Sequence, residues 1–321
     1  MQAPTLRDVY RAKKTIAPHI PRTPLHYCAG LSEMLKAEVY LKHEEYLPLG
    51  AFKGRGGINL LANLSDEEKE RGLITASSGN HGQSMASACK MFGVKAVIGL
   101  PEDANPNKVA AMRALGAELI FHGADFDAAR LHCERLAKEE GYRLVHPVND
   151  PLLVAGVGTQ ALETIEDLPD VQVLMVPLGG GSGVSGACIV AKGIDPAIEV
   201  LAVQSEQAPA GYLSWKQGKI VEAEMKTFAE GVATASGYEL AQAIIKELLD
   251  DFLLVSDDEI RRAIGTLVDK AHTLAEGAGA TALAGAIRYP EKVKGKKVAI
   301  TISGANITVE QLQKSLDVYQ G

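Results

Sequence analysis

The chain has 321 residues, of which 46% are hydrophobic and 5% aromatic, and its formal net charge is −7 at pH 7. At roughly 100–200 residues per domain, this length predicts two domains. The negative charge excludes binding that is driven by attraction to nucleic acid or to an anionic membrane surface. An anionic ligand would therefore need a local positive site.

The N-terminus and the cysteines predict a cytoplasmic protein. Residues 1–8 contain no apolar run of the kind that a signal peptide needs, and no stretch reaches the ~18 apolar residues of a membrane span. The four cysteines are scattered, with no C-x-x-C pair and no histidine at metal-ligand spacing. We expect them to be reduced and buried, as in the cytosol.

Apolar strands alternate with helices along most of the chain. The pattern predicts, in order, helix 5–16, strand 39–41, helix 58–64, strand 73–76, helix 82–92, strand 94–100, helix 107–115, strand 117–121, helix 126–140, strand 142–145, strand 171–176, helix 184–192, strand 199–204, helix 238–249, strand 252–255, a helix capped by Ser256, helix 279–288 and strand 298–302. Continuous apolar strands separated by helices indicate an α/β fold with parallel sheets covered on both faces. The stretch between Gln204 and Gly231 has no clear pattern.

One lysine stands in an unusual setting. Lys53 follows Phe52 and precedes a glycine-rich stretch, residues 54–57, shortly after a predicted strand. An aromatic neighbour and little side-chain bulk create an apolar slot, in which a desolvated lysine loses its proton more easily and becomes a nucleophile. A lysine in a glycine-rich loop is more often simply solvated, so this motif alone does not establish catalysis.

Glycine-containing turns follow several predicted strands, at the edge where parallel sheets bind ligands. The turns are 77–82, 179–183, 229–231 and 303–306. In the second turn, four glycines in five residues lead into a helix, so backbone N–H groups and the helix dipole would face an anion such as phosphate.

Other interpretations of these turns stay open. Residues 181–186 also satisfy G-x-G-x-x-G, with Glu206 about twenty residues later, which is typical of a dinucleotide site. An NAD-dependent oxidoreductase is therefore an alternative, although it explains neither Lys53 nor the other turns. In turn 77–82, the polar side chains could hold the loop by local hydrogen bonds. His81 could be a structural donor or a catalytic base.

Read together and in order, the motifs resemble the fold-type II pyridoxal-phosphate enzymes, in their serine/threonine dehydratase and serine racemase family. The motifs are Gly-Ala-Phe-Lys53, Ser77-Ser-Gly-Asn-His-Gly, the glycine loop 179–183, Ala229-Glu-Gly-Val, Glu276-Gly-Ala-Gly-Ala and Ser303-Gly-Ala-Asn. The resemblance covers nearly the whole chain and implies two three-layer α/β domains with mostly parallel sheets, as in the tryptophan synthase β subunit. The large cofactor domain would be 1–65 and 151–321, and the small mobile domain 66–150. The resemblance also implies pyridoxal 5'-phosphate as the cofactor and a homodimer.

The resemblance assigns cofactor contacts residue by residue, to Phe52, Lys53, Asn80, Gly179, Gly180, Gly181, Ser182, Gly183, Gly231, Glu276 and Ser303. Lys53 resembles the lysine that is bonded to the cofactor aldehyde, and Phe52 and Gly231 resemble the positions on the two faces of the ring. Asn80 matches the partner of the ring hydroxyl. The loop from 179 to 183 matches the phosphate site, with Ser182 where many members have glycine. Ser303 matches the neutral partner of the ring nitrogen, which suits β-elimination.

The resemblance also implies a substrate site and a reaction. Its substrate-binding positions are Ser77, Ser78, Asn80, His81 and Arg130. The implied reaction converts a β-hydroxy amino acid, L-threonine or L-serine, to a 2-oxo acid and ammonia, with the Lys53 amine taking the Cα proton. The family alternatives are a dehydratase for 3-hydroxyaspartate or phenylserine and an amino-acid racemase, in which Ser78 would be the second catalytic residue. A ligand sensor without turnover is a further alternative from another class.

Several positions depart from the family pattern. Ala51 replaces the usual serine two residues before Lys53, and the expected turn at 156–159 lacks its glutamine. In the family's divalent-cation site, Glu206 and Ala210 match, but Tyr212 stands where a second acid belongs, so we expect no metal. The chain ends soon after Asn306, and we expect no regulatory domain of the biosynthetic threonine dehydratase type.

Overall fold

A computed structural model describes residues 2–104, 106–124 and 126–320, without the side chains of residues 106, 107 and 127. The described strands are β1 (Leu25–Tyr27), β2 (Glu38–His43), β3 (Leu73–Ala76), β4 (Ala96–Leu100), β5 (Glu118–Phe121), β6 (Arg143–Leu144), β7 (Val173–Pro177), β8 (Glu199–Ser205), β9 (Asp251–Val255) and β10 (Lys297–Ile302). The α-helices are α1 (Leu6–Ile16), α2 (Ala29–Leu35), α3 (Lys53–Ala62), α4 (Asp66–Arg71), α5 (Asn80–Phe92), α6 (Pro106–Ala114), α7 (Phe126–Glu140), α8 (Pro151–Asp167), α9 (Ser182–Ile194), α10 (Ala210–Gln217), α11 (Glu239–Leu248), α12 (Asp257–Ala271), α13 (Gly277–Arg288) and α14 (Val309–Val318).

The described strands form two separate sheets. The larger sheet has the order β1-β2-β10-β7-β8-β9, and only its edge pair β1–β2 is antiparallel. The smaller sheet has the order β5-β4-β3-β6 and is parallel throughout. Because parallel strands end at the same edge, the loops after β2, β10 and β7 emerge side by side. The α/β class with mostly parallel sheets is confirmed.

Helix α3 begins earlier than the sequence indicated. The glycine-rich stretch after Lys53 is helical rather than a loop, because it lies against neighbouring helices. A Cβ atom on Gly57 would lie 2.4 Å from Ser84 Oγ of α5, and one on Gly56 would lie 3.1 Å from the Leu153 carbonyl of α8. The glycines therefore serve close helix packing, and Lys53 lies in the first turn of a helix.

The sequence pattern does not predict helix α8. The prediction of a turn at 156–159 is wrong, because those residues lie inside this helix. Most of α8 is buried between other helices, so its apolar residues show no one-sided helical period. A Cβ on Gly156 would lie 2.7 Å from the Arg55 carbonyl, and one on Gly186 of α9 would lie 2.6 Å from Gly158 Cα. Small residues thus bring α3, α8 and α9 into contact.

One apolar cluster combines residues from both of the expected domains. All strands of the smaller sheet fall within 66–150, the segment expected to be the small domain. However, Ile58 and Leu61 of α3 pack in one apolar cluster with Leu73 of β3 and Met85 of α5. The division into a large and a small mobile domain stays a prediction. Among the described residues, no helix is both long enough and apolar enough to cross a bilayer.

Candidate active site

A cavity opens between the strand ends of the larger sheet and the loop after β3 of the smaller sheet. Its lining includes most of the predicted site residues, namely Phe52, Lys53, Ser77, Ser78, Asn80, His81, Gly179, Gly180, Gly181, Ser182, Gly183, Gly231, Glu276 and Ser303. Residues from distant parts of the sequence therefore meet in one place.

Lys53 points toward the glycine loop. Its Nζ donates a hydrogen bond to Ser182 Oγ at 2.9 Å and lies 3.4 Å from the Pro147 carbonyl oxygen. Burial lowers the pKa of Lys53 to about 8. A lysine with such a pKa is partly neutral near physiological pH and can act as a nucleophile or a base.

The glycine loop forms a cradle of backbone amides. It connects β7 to α9, and Gly181 has a φ of +101°, a conformation that favours glycine. A Cβ on Gly179 would lie 2.2 Å from the Gly231 carbonyl oxygen, so a side chain there would collide with the opposite wall. The N-terminus of α9 begins at Ser182 and directs its dipole into the cavity, which favours an anion.

Asn80 links the two sheets through a chain of hydrogen bonds. Its Nδ2 donates to Glu276 Oε1 at 2.7 Å, and its Oδ1 accepts from Asn306 Nδ2 at 2.8 Å. Asn80 begins α5 beside the smaller sheet, whereas Glu276 directly precedes α13 beside the larger one. Burial raises the pKa of Glu276, while the hydrogen bond from Asn80 and the charge of Lys108 act in the opposite direction.

The serine-rich loop after β3 is held largely by its own bonds. Ser77 Oγ accepts hydrogen bonds from the backbone N–H groups of Gly79 and Gly82, at 3.3 and 3.1 Å. In turn 77–82, the Ser77 hydroxyl therefore holds the loop by local hydrogen bonds. Ser78 lines the cavity beside it.

His81 is buried and neutral. Burial, followed by the charges of Lys53 and His146, lowers its pKa well below the ordinary value. Thr75 Oγ1 donates its only proton to the Val145 carbonyl at 2.8 Å, so the 3.2 Å contact with His81 Nε2 requires a proton on that nitrogen. This assignment leaves Nδ1 of His81 as the acceptor.

Phe52, Gly231 and Ser303 complete the cavity wall. The Phe52 ring lies 3.4 Å from the position of a Cβ on Gly183, and its backbone N–H donates to the Ser303 carbonyl at 3.0 Å. Gly231 lies in a short 3₁₀ turn, Glu230–Val232, and a Cβ there would lie 2.7 Å from the Ala278 Cβ. A side chain at position 231 would therefore crowd α13.

Other candidate residues lie elsewhere. Arg130 of α7 pairs with Glu134 at 2.6 Å and is not among the residues that line the cavity. Glu206 pairs with Arg288 at 2.6 Å and also lies outside the lining, which counts against a dinucleotide site. Tyr212 packs edge-to-face on Phe252. The described residues contain no cluster of three or more histidine, cysteine or acidic side chains that could hold a metal.

Some lining residues escaped the sequence analysis. Lys108 of α6 and Glu230 form an ion pair at the cavity wall. The motif at 229–232 marks Gly231 but gives no separate signal for Glu230, and nothing in the sequence around Lys108 marks that residue. His146 supports the wall from behind: its Nδ1 accepts from the backbone N–H groups of Val148 and Asn149 at 3.1 and 3.0 Å.

The donor set fits pyridoxal phosphate. The amide cradle at the N-terminus of α9 suits a phosphate, and the Lys53 amine lies within hydrogen-bond distance of that cradle. Glu276 and Asn306 orient the Asn80 amide at the same cavity. The neutral Ser303 suits the nitrogen of an aromatic ring better than it suits a metal ion.

Comparisons with known proteins agree with this chemistry. An L-threonine ammonia-lyase of Thermotoga maritima is 41% identical over 98% of this chain and 78% of its own. An L-threo-3-hydroxyaspartate ammonia-lyase of Saccharomyces cerevisiae is 36% identical over 97% of this chain and 96% of its own. The solved structure of maize serine racemase superimposes with a TM-score of 0.93 at 30% identity, covering 98% of both chains. The model of the pyridoxal-phosphate dependent enzyme family matches residues 16–304, and the chain belongs to that family.

Proposed function

We propose that this protein is a pyridoxal-phosphate dependent ammonia-lyase that converts L-threonine or L-serine to a 2-oxo acid and ammonia. The observation that carries the proposal is the Lys53 amine, which has a lowered pKa and lies beside an amide cradle for a phosphate. The names of the ammonia-lyase relatives support this reaction type.

The bound cofactor would supply an electron sink for the negative charge that develops at the substrate Cα. Lys53 would take the Cα proton, since its lowered pKa leaves part of the amine neutral near pH 8. The glycine loop and the start of α9 would hold the phosphate. Ser303 would face the ring nitrogen without giving it a full charge.

The loop after β3 is our candidate for binding the substrate carboxylate. It presents the N-terminus of α5, with Asn80 as the first helical residue. A helix N-terminus favours an anion through its free N–H groups and dipole. Ser77 would act indirectly by shaping this loop, and His81 would offer a neutral side chain. We assign Arg130 no direct contact, because it does not line the cavity.

A racemase is the second candidate function. Ser78 lines the same cavity as Lys53, so a second group that exchanges protons is available. The likeness to a serine racemase structure supports keeping this candidate.

We further propose a homodimer, a cytoplasmic location and a small domain, 66–150, that closes over the substrate. The family resemblance supports the dimer and the closing domain, and the exposed Tyr27 and Tyr46 would offer apolar surface for a second copy. The four cysteines are free and buried, as suits a reducing compartment. Sedimentation of the purified protein would test the dimer.

The first experiment tests cofactor attachment and turnover. The purified protein should be yellow, and borohydride should fix the cofactor covalently on Lys53, as peptide mapping would show. Lys53→Ala should lower the formation of 2-oxo acid from L-threonine by at least about 10³-fold. Lys90→Ala, at an exposed position of α5, is the control and should keep full activity. A colourless protein that binds NAD would refute the proposal.

The second experiment separates the two candidate functions. The protein is incubated with L-threonine, L-serine and D-serine, and both 2-oxo acid and opposite enantiomer are measured. Ser78→Ala should spare elimination from the L-substrates and remove any racemisation. If Ser78→Ala stops L-threonine elimination, our assignment of roles is wrong. Bound cofactor without turnover of any β-hydroxy amino acid would favour a ligand sensor.

A further inference from the structure

We propose that Glu230, through its ion pair with Lys108, makes the site selective for substrates whose side chain carries no negative charge. This inference rests on the proposed function and narrows its substrate class. It predicts discrimination against a β-carboxylate, such as that of 3-hydroxyaspartate, in favour of the methyl group or hydrogen at that position in threonine or serine.

The ion pair lies at the cavity wall and spans the two sheets. Glu230 precedes Gly231 in the 3₁₀ turn beside the larger sheet, and Lys108 comes from α6 beside the smaller one. The Lys108 side chain is 20% exposed and the Glu230 side chain 54% exposed. Both residues line the cavity, and we place them where they would meet a substrate side chain that extends past the reacting carbons.

The charged side chains that line the cavity already have other partners. Among the described lining residues, the cationic side chains are Lys53 and Lys108, and the acidic ones are Glu230 and Glu276. Lys53 faces the glycine loop, where it would be bonded to the cofactor. Lys108 pairs with Glu230 and also attracts Glu276. A second substrate carboxylate would thus find no cationic side chain without a partner among these residues, and the charge of Glu230 would repel it.

Two isosteric ligands isolate this effect from shape. L-asparagine and L-aspartate differ in the side-chain charge and carry no β-hydroxyl, so neither can lose water. Their dissociation constants can be measured on the holoenzyme by the change in the visible absorbance of the cofactor. We expect L-aspartate to bind at least about tenfold more weakly than L-asparagine, because like charges in a partly desolvated cleft repel.

Variants then assign the effect to the pair. Glu230→Gln should reduce the aspartate-to-asparagine ratio of dissociation constants by about tenfold, because it removes the repulsion and frees Lys108. Lys108→Met should raise the ratio, because Glu230 is then unopposed. Glu230→Asp keeps the charge and should keep the wild-type ratio. The control is Glu224→Gln, since Glu224 pairs with Lys226 on the surface outside the cavity; its ratio should not change.

A turnover assay complements the binding assay. For L-threo-3-hydroxyaspartate relative to L-threonine, kcat/KM should be low in the wild type and should rise in Glu230→Gln. Equal binding of aspartate and asparagine to the wild type, or the same ratio in Glu230→Gln as in the wild type, would overturn the inference. Failure of the wild type to convert any of these substrates would instead refute the proposed function, and the binding ratios would still test the role of Glu230.

Discussion

Lys53 shows how the surroundings of one side chain set its chemistry. An ordinary lysine is almost wholly protonated at neutral pH, with a pKa near 10.4. Burial in the cavity wall lowers the pKa of Lys53 to about 8, because the charged form loses hydration. The hydrogen bond to Ser182 keeps the amine directed at the amide cradle. Reactivity and direction therefore come from different neighbours.

This predicts a pH dependence for the cofactor-free protein. The reaction of Lys53 with trace acetic anhydride should increase with pH and reach half of its maximum near pH 8, because only the neutral amine reacts. Peptide mass spectrometry would measure this rate, with the other lysines of the same digest as controls. A midpoint above pH 10 would show that the cavity leaves the amine hydrated. The unfolded chain keeps this proton up to about pH 10.5, whereas the folded chain loses it near pH 8. The contribution of Lys53 to the free energy of unfolding should therefore increase as the pH rises from about 8 to 10.5.

Helix α3 is fixed by a buried ion network two residues beyond Lys53. Arg55 Nε donates to Glu44 Oε2, and Arg55 Nη1 donates to Glu163 Oε1, both at 2.7 Å. Lys42 Nζ donates to Glu163 Oε2 at 2.8 Å. The network joins the end of β2, the first turn of α3 and α8, and two cations balance two anions. Because every member is almost fully buried, the geometry of the first turn is strongly specified.

Removing one member should be costly. Arg55→Met would leave two buried carboxylates with one lysine, and we expect the free energy of unfolding to fall by about 3–5 kcal/mol. Urea unfolding of the apo protein would measure this. The control is Arg11→Met, which breaks an exposed pair with Asp8 and should change stability by less than about 1 kcal/mol. Equal effects of the two substitutions would show that the network is not a specific support of α3.

At the scale of the whole molecule, contacts between the two sheets assemble the site. Asn80 with Glu276, and Lys108 with Glu230, each connect an element of the smaller sheet to one of the larger. The wall between them includes Pro147 and Val148. His146 Nδ1 accepts hydrogen bonds from the backbone N–H groups of Val148 and Asn149, which fixes this segment. Burial, with a smaller contribution from the charge of Arg130, lowers the pKa of His146 to about 4. The protein therefore depends on a histidine that is neutral in the folded state.

Acid should weaken the fold through this residue. The pKa of His146 is lower in the folded chain, so the unfolded chain binds the proton first as the pH falls. Its contribution is present above about pH 6.5 and is lost between about pH 6.5 and 4. In His146→Gln, where an amide oxygen can accept the same bonds, the loss of stability over this range should be smaller by about 2 kcal/mol. Urea unfolding at pH 7 and pH 4.5 would measure it, and parallel curves for both proteins would contradict it.

The sequence by itself determined the alternation of strands and helices and the motifs around Lys53, Asn80, the glycine loop and Ser303. Those features act locally, since an apolar strand, a cap or a run of glycines has the same consequence wherever its neighbours lie. The order of the different motifs along the chain indicates the family, and with it the cofactor.

The tertiary structure alone decided the rest. Helix α8 is buried among other helices, so it lacks the one-sided apolar pattern by which a helix is recognised in a sequence. Lys108 and Glu230, and Asn80 and Glu276, are far apart in the chain and meet only because two sheets face each other across a cleft. Arg130 matched a family position in sequence, yet α7 holds it in an ion pair outside the cavity lining. Long-range contacts of this kind depend on how elements pack, and no local pattern in the sequence records them.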